Sequence, residues 1–270
     1  MIRDMTIGQY YPAESVIHRL DPRVKLLGTL LYIISLFLFN SFWGYLIIIL
    51  FLGSVIKASK VPFKFMVKGL KAIVVLLLFT VIFNLFLTPG EHVLVSWWIF
   101  TITEEGLHSA IFMGLRIVFL IVGSSLMTFT TTPNNLTDGL ESGLGPLKVL
   151  HVPVHEIAMM MSIALRFIPI LLEETDKIMK AQMARGANFE EGNLIQKAKS
   201  LVPLLVPLFV SAFRRADDLA MAMEARCYHG GANRTKMKPL KYQARDRWGY
   251  VILVSYIGLL VGLNIFVPWF

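Results

Sequence analysis

The chain has 270 residues, of which 56% are hydrophobic and only 16% are charged, and its mean hydropathy is +0.64. Soluble domains are closer to half apolar and a quarter charged, so this composition predicts a membrane protein and not a soluble domain. The net charge of +8 is assigned to cytoplasmic loops, and no nucleic-acid partner is expected. The single cysteine, Cys227, excludes an internal disulfide and a cysteine metal cluster.

The N-terminal half of the chain predicts four membrane spans. Residues 1–23 are polar and lack an apolar core, so no cleavable signal peptide is expected there. The predicted spans cover residues 24–39, 42–56, 72–87 and 106–129. Five lysines and no acid separate the second span from the third, which places that loop in the cytoplasm. The loop after the third span has glutamates, no basic residue and the pair Trp97-Trp98, which is typical of the outer face.

The C-terminal half predicts amphipathic helices on the cytoplasmic side and one more span. Thr132-Pro133 is a helix start, and Gly143 ends this short helix. Two long helices follow, and their purely apolar runs, residues 157–165 and 201–213, are shorter than the ~18 residues of a span.

With a last span over residues 248–266, the fold class is all-α and polytopic, with about five transmembrane helices. The N-terminus and the long helices are expected in the cytoplasm and the C-terminus outside. We expect three regions: 1–129 with four spans, 130–245 with the amphipathic helices, and 246–270 with the last span.

Both long helices end in an arginine that follows an alanine. The first ends in Ala184-Arg185-Gly186 and the second in Ala225-Arg226-Cys227. One interpretation is a cation that stabilises a helix C-terminus by a few tenths to ~1 kcal/mol through the helix dipole. The other is a guanidinium held on a rigid helix end that binds an acidic groove of a partner. Two such ends on successive helices favour the second interpretation.

Arg116 is the one charge well inside a predicted span. Intramembrane charges mark a pathway or a specific partner, but an arginine close to one face also snorkels or bonds to neighbouring helix carbonyls, and both interpretations stay open. His151 and His155 with Glu156 resemble metal ligands, but Pro153 lies between them and no further ligand pattern follows. We therefore interpret them as a polar helix start, and no metal site is expected.

Methionines concentrate in the two long helices, either as ordinary core filling or as an adaptable apolar surface for several partners. They are Met159, Met160, Met161, Met179, Met183, Met221 and Met223. The chain has no P-loop, nucleophile elbow, H-E-x-x-H motif or carboxylate pair within a span. We expect no catalytic residue and no cofactor bound by this chain.

Two stretches carry a family resemblance that covers most of the chain. Ala164-Leu165-Arg166-Phe167-Ile168-Pro169, followed by Leu171-Leu172-Glu173-Glu174 and by the first arginine end, is similar to the transmembrane T component of energy-coupling factor (ECF) transporters. Ala222-Met223-Glu224-Ala225-Arg226, with Gly230-Gly231 and Arg234-Thr235-Lys236 after it, resembles the second half of that signature. Cys227 departs from the family, which commonly has glycine there, and this leaves the C-cap of the second helix open.

The resemblance implies a non-catalytic coupling subunit in a bacterial cell membrane. T components hold two cytoplasmic ABC-type ATPases, here expected to be a heterodimer, to an exchangeable membrane-embedded S component that takes up a vitamin or other micronutrient. ATP and Mg would be bound by the ATPases. Arg185 would contact one ATPase and Arg226 the other. The glycine-rich tail most resembles the shared module of Gram-positive bacteria.

The apolar starts of the two long helices are the expected S-component-facing surface. This surface comprises Met159, Met160, Met161, Ile163, Pro169, Pro203 and Pro207. The alternatives are a self-sufficient secondary transporter or intramembrane enzyme, and the membrane subunit of a conventional ABC importer. Secondary transporters usually carry intramembrane ion sites and inverted repeats across many spans, and the sequence shows neither.

Overall fold

The computed structural model describes residues 10–38, 41–71, 73–89, 92–97, 100–187, 189, 193–231, 237 and 239–266. Within these ranges it is almost entirely helical, which confirms the predicted all-α fold class. The helices are α1 Pro22–Leu38, α2 Phe42–Ser59, α3 Phe63–Lys71, α4 Val74–Leu87, α5 Glu104–Thr130, α6 Pro133–Gly143, α7 Val154–Ala184, α8 Leu194–Ala225 and α9 Ala244–Phe266, with a 3-10 helix at Gly145–Leu150.

The chain forms two compact units. The first, here called the membrane unit, comprises Gly8–Leu140 together with Leu240–Phe270. The second, here called the helix-pair unit, contains Glu141–Pro239. The membrane unit therefore joins the N-terminal spans to α9, although the segment between them in sequence belongs to the other unit.

Among the described residues, four helices are long and apolar enough to cross a membrane, namely α2, α5, α7 and α9. The pair α3 and α4, bent by 65°, makes a fifth candidate if it forms one span. The predicted number of about five is confirmed, but the set differs from the prediction at two helices. The first predicted span is α1, which has 17 residues and lies just below this length. Helix α7 qualifies because one arginine, Arg166, does not end the apolar stretch that continues to Leu172.

The core of the membrane unit lies between α1, α2, α3, α5 and α9. Its fully buried side chains include Leu36, Ile48, Met66 and Leu260. Two core tyrosines satisfy their hydroxyl groups inside the unit. Tyr32 donates to the backbone carbonyl of Phe119 at 3.0 Å, and the hydroxyls of Ser35 and Tyr256 hydrogen-bond at 2.8 Å. Buried polar groups need such partners because leaving one unpaired costs ~1–3 kcal/mol.

A buried carboxylate joins the starts of the first and last helices of this unit. Asp246, 2% exposed, accepts hydrogen bonds from the backbone N–H of Asp21 at 2.8 Å and of Gln243 at 2.7 Å. Both donors lie where a helix begins, and the first N–H groups of a helix lack partners within the helix. Helix α9 starts four residues before the predicted Trp248, and this capping contact accounts for the earlier start.

Two segments predicted to be loops contain regular structure. Part of the lysine-rich segment forms α3. Met66 of this helix packs into the core and holds α3 against the spans. The predicted outer loop contains an antiparallel hairpin of β1, Val93–Trp97, and β2, Phe100–Thr103, in which Trp97 pairs with Phe100. Trp98 lies outside the described residues.

Helix α5 begins directly after this hairpin. The hydroxyl of Thr103 accepts a hydrogen bond from the backbone N–H of Gly106 at 3.0 Å and caps the helix. A Cβ atom at Gly106 would lie 2.9 Å from that hydroxyl and 3.1 Å from the carbonyl of Leu85 in α4. Glycine is therefore needed where the end of α4 meets the start of α5.

Candidate functional site

Helices α7 and α8 form an antiparallel pair, and each helix begins before the apolar run that was predicted from the sequence. Helix α7 starts three residues before Ile157 and α8 seven residues before Leu201. Gln182 Nε2 donates to the carbonyl oxygen of Pro203 at 3.3 Å, and Ser211 Oγ donates to Glu174 Oε1 at 2.6 Å. From the first contact to the second, α7 goes back eight residues while α8 advances eight, so the helices run in opposite directions in a constant register.

One of these contacts is made possible by a proline. Pro207 has no N–H, so the carbonyl of Pro203, four residues earlier in α8, lacks its helical donor. The side chain of Gln182 donates to this carbonyl and replaces the missing bond. Pro203 is exposed and Pro207 is half-buried, while Pro169 in α7 is exposed. At least one predicted surface proline thus also shapes the contact between the helices.

Glu174 is the polar centre of the pair. Besides Ser211, its carboxylate accepts from Arg215 Nη2 at 2.5 Å, and the side chains of Arg215 and Glu174 are 36% and 25% exposed. This contact is the only ion pair between α7 and α8 in the described part of these helices. Three oppositely charged pairs have i, i+4 spacing, which predicts contacts along one helix face, but none of them is within salt-bridge distance there. They are Glu173/Lys177, Asp176/Lys180 and Arg214/Asp218.

The C-terminus of α7 is closed by two backbone hydrogen bonds. The N–H of Gly186 donates to the carbonyl of Met183 and the N–H of Ala187 to that of Gln182, both at 3.0 Å. Gly186 has φ +88°, a left-handed conformation that glycine adopts without strain. This is a Schellman motif, in which Arg185 is the C-cap residue.

The second arginine end has the same geometry although glycine is absent. The N–H of Cys227 donates to the carbonyl of Glu224 at 2.8 Å and the N–H of Tyr228 to that of Met223 at 3.0 Å. Cys227 has φ 54° and occupies the left-handed position that Gly186 has in the first helix. The question left open by the sequence is therefore answered: the C-caps match, and Cys227 adopts a conformation that costs a non-glycine residue ~1–2 kcal/mol.

Both arginine ends are exposed and lie at opposite ends of the helix pair. All six residues of the two motifs, Ala184, Arg185, Gly186, Ala225, Arg226 and Cys227, are exposed. Neither guanidinium forms an ion pair with a carboxylate in the described part of the chain. The antiparallel register places Arg185 beside Ser200, and α8 continues for 26 residues to Arg226. At 1.5 Å per residue the two arginines are about 39 Å apart along the helix.

The apolar residues of this unit are mostly exposed. Met160 and Met161 are 58% and 42% exposed, and Met159 and Ile163 are half-buried. A larger set of apolar residues in α8 is also exposed: Leu201, Val202, Leu205, Val206, Phe209, Val210 and Phe213. An exposed apolar surface of this extent indicates contact with lipid or with a protein partner.

Arg116 lies in α5 of the membrane unit, far in sequence from the arginine ends. Its Nε donates to the hydroxyl of Tyr45 at 3.4 Å, and its guanidinium lies 5.4 Å from the ring centre of Phe37. A cation over an aromatic face is stabilised electrostatically. The charge is thus accommodated by aromatic residues of α1 and α2.

The structure brings His155, Glu141 and Gly231 together near the start of α7, and this group was not predicted from the sequence. His155 Nδ1 lies 3.1 Å from Glu141 Oε1, and Gly231 packs against the imidazole ring. No local pattern indicates this, because the three residues come from separate segments. His151 is exposed, with φ 58°, and Arg234-Thr235-Lys236 lie outside the described residues.

Comparisons with known proteins place these helices in a family. The family model described as "CbiQ: Cobalt transport protein" matches residues 13–237. Three relatives carry the name "Energy-coupling factor transporter transmembrane protein EcfT". The protein of Clostridium kluyveri is 60% identical over 91% of this chain and 92% of its own length. That of Bacillus subtilis is 49% identical over 98% and 100%, and that of Lactococcus lactis is 47% identical over 96% and 98%. Because a family model and relatives of this identity cover nearly the whole chain, it belongs to the family of energy-coupling factor transporter transmembrane proteins.

Proposed function

We propose that this chain is the non-catalytic coupling subunit of an ECF-type transporter. The observation that carries this proposal is a pair of exposed arginines, without a carboxylate partner among the described residues, at opposite ends of one antiparallel helix pair. Arg185 docks into one cytoplasmic ABC-type ATPase and Arg226 into a second one. A separation of about 39 Å along the helix suits two partners, since neither arginine is close enough to share a groove with the other.

The exposed apolar surface of α7 and α8 holds a membrane-embedded S component. ATP-driven closure of the two ATPases moves the helix ends, and the helix pair transfers this movement to the S component, which then releases a vitamin or other micronutrient inside the cell. The exposed methionines, Met160 and Met161 among them, support an exchange of S components because methionine adapts to different apolar partners. ATP and Mg belong to the ATPases.

In this proposal the helix pair lies at the cytoplasmic face of a bacterial cell membrane. Helix α7 is long enough to span, but charges occupy its second half from Glu173 onward, as they do the second half of α8. Burying those charges in lipid costs several kcal/mol. The spans are therefore α1, α2, the bent pair α3 and α4, α5, and α9, which leaves the N-terminus inside and the C-terminus outside.

Replacing the two arginines tests the docking role. A hydrogen-bonded charge contributes ~1.5–3 kcal/mol to binding, so Arg185→Ala or Arg226→Ala alone should weaken ATPase association about tenfold or more. The double variant should lose it while the protein stays inserted in the membrane. Arg214→Ala is the matched control, because Arg214 is an exposed arginine of α8 that lies away from the helix end. The measurement is the amount of ATPase that co-purifies with the chain from native membranes; unchanged co-purification of the double variant would sink the docking role.

The competing class is a protein that works alone. A secondary transporter or an intramembrane enzyme would show transport or turnover when this chain is reconstituted by itself in liposomes. The coupling function requires that no activity appears until ATPases and an S component are added. A conventional ABC importer subunit differs in its third partner, since it would co-purify with a periplasmic or lipoprotein binding protein.

A further inference from the structure

The segment that follows the second arginine end returns to the start of α7. Gly231 is only five residues beyond Arg226, and it lies against the imidazole ring of His155 in the first turn of α7. A Cβ atom at Gly231 would lie 2.9 Å from His155 Cγ and 3.2 Å from His155 Cβ, closer than packed atoms allow. Glycine is required because the backbone passes directly over the ring.

The ring is fixed in place from its other side. His155 Nδ1 lies 3.1 Å from Glu141 Oε1, and the two side chains are 24% and 15% exposed. A carboxylate accepts the Nδ1–H of an imidazole, which fixes the orientation of the ring. The neighbouring Val154 and Ala158, 3% and 6% exposed, are two of the three buried hydrophobic residues in the described part of the helix-pair unit. The first turns of α7 are therefore held by burial as well as by the contact of His155 with Glu141.

The contact of Gly231 with His155 connects the two helices at the end of the pair that carries Arg226. In an antiparallel pair, the C-terminal end of each helix lies beside the start of the other. The end that carries Arg185 is joined to the start of α8 by the chain itself, through residues 186–193. The end that carries Arg226 has no such covalent link to the start of α7. The contact of Gly231 with His155 supplies that link without a covalent bond.

We propose that Gly231, His155 and Glu141, together called the tail contact, position Arg226 relative to the start of α7. The proposal rests on the coupling function above. Because the tail contact closes the second end of the pair, a displacement at Arg226 reaches Met159, Met160 and Met161, which follow His155 by about one turn. All three members are positioning residues and none of them touches a nucleotide or a substrate.

A disulfide in place of the tail contact tests whether it stays closed. The Cβ positions of residues 155 and 231 are 3.2 Å apart, slightly below the usual 3.5–4.5 Å of a disulfide, so a shift of a few tenths of an ångström is sufficient. The variant is His155→Cys/Gly231→Cys in a Cys227→Gly background, which removes the only native cysteine. We expect the cross-link to form on oxidation and to raise ATP hydrolysis of the purified complex above that of the reduced variant, because closing the contact restores the position of Arg226. Failure of the cross-link to form, or no rise in hydrolysis once it has formed, would overturn the proposal.

A mutant cycle tests whether the contact matters. Gly231→Ala introduces the clash with His155, which should displace Arg226 from its position and lower ATP hydrolysis of the complex about tenfold. Gly143→Ala is the matched control, because a Cβ atom there meets nothing within 4 Å. His155→Ala should itself lower hydrolysis, but Gly231→Ala should cause no further loss in that background. An equal loss from Gly231→Ala in both backgrounds contradicts the proposal.

The two proposals fail in distinguishable ways. If no ATPase co-purifies with the unaltered chain, the coupling function is wrong, whereas the cross-link still reports on the tail contact in the isolated chain. If ATPases co-purify and the mutant cycle shows no interaction between residues 155 and 231, only the positioning role is wrong.

Discussion

The membrane unit and the helix-pair unit differ in how much of their apolar surface they bury themselves. Among the described residues, eighteen hydrophobic residues are buried, and only Val154, Ala158 and Leu204 belong to the helix-pair unit. The other fifteen lie in the membrane unit, most of them between its helices. Exposed apolar residues in the membrane unit are expected because lipid covers them. The helix-pair unit instead combines an exposed apolar surface with charged helix ends, which indicates protein partners on two sides.

Polar groups show the same difference. The membrane unit satisfies several of its buried hydroxyls and carboxylates internally, as Tyr32, Tyr256 and Asp246 do, although the buried hydroxyl of Thr131 has no hydrogen-bond partner in the described part of the chain. In the helix-pair unit the ion pair Glu174–Arg215 holds two helices together, while Arg185 and Arg226 have no internal carboxylate partner in the described part. The membrane unit therefore pairs most of these groups within itself, whereas the proposed function completes the helix-pair unit with partner proteins.

The largest predicted effect breaks the internal order of the membrane unit. Asp246→Ala removes the acceptor of the buried N–H of Asp21 and of the partly exposed N–H of Gln243, which should lower the free energy of unfolding by about 3 kcal/mol. Asp246→Asn retains one carbonyl oxygen and should lose less. The measurement is the temperature at which the detergent-purified protein loses its monodisperse elution peak.

An exposed carboxylate of the membrane unit provides the control. Glu14→Gln removes a carboxylate that is 88% exposed and pairs with Arg19, so it should leave that temperature unchanged. Asp246→Ala should reduce the amount of folded protein without changing the ratio of ATPase to chain in what remains. A selective loss of ATPase from a stable Asp246→Ala protein would show that the two units are not independent in this respect.

Patterns within a few residues predicted much of the fold. Helix α6 has the predicted bounds, because Thr132-Pro133 and Gly143 are local start and stop signals. The arginine ends were visible for the same reason, although the C-cap of the second one was left open by Cys227 and only the structure shows that both arginines are C-cap residues. The apolar stretch of α7 was underestimated, because the prediction stopped it before Arg166, so α7 was not counted as long enough to span.

Contacts between distant segments were beyond the sequence patterns. Asp246 was interpreted as the residue before a span, but its hydrogen bond joins it to Asp21, 225 positions away. Helix α3 forms because Met66 finds the core, and a lysine-rich composition gave no sign of that. The i, i+4 spacing of the charges in α7 and α8 predicts pairs within each helix, whereas Glu174 bonds across the pair to Arg215. The register of the two helices decides which charges lie next to each other, and this register cannot be read from a single sequence.

A smaller effect, confined to partner choice, sharpens the role of the exposed apolar surface. Replacing Met159, Met160 and Met161 with isoleucine keeps the surface apolar but restricts side-chain rotamers, because a β-branched residue has one preferred χ1 in a helix. We expect the amount of co-purified S component to fall up to about tenfold for some S components and little for others. The stability of the chain should change little, since Met160 and Met161 are exposed. Equal retention of every S component in a panel would count against an adaptable surface.

The smallest predicted effect distinguishes the two arginine ends from each other. Cys227 and Gly186 occupy the same left-handed position, but only glycine does so without strain, and nothing lies within 4 Å of a Cβ atom at Gly186. Cys227→Gly should therefore stabilise the last turn of α8 by about 1 kcal/mol, and Gly186→Ala should destabilise that of α7 by a similar amount. Hydrogen exchange of the amides of Cys227 and Tyr228 should slow about fivefold in the first variant, and that of Gly186 and Ala187 should quicken about fivefold in the second. Changes of the same sign would mean that the caps differ in solution, and the two ends would then present their arginines differently to the ATPases.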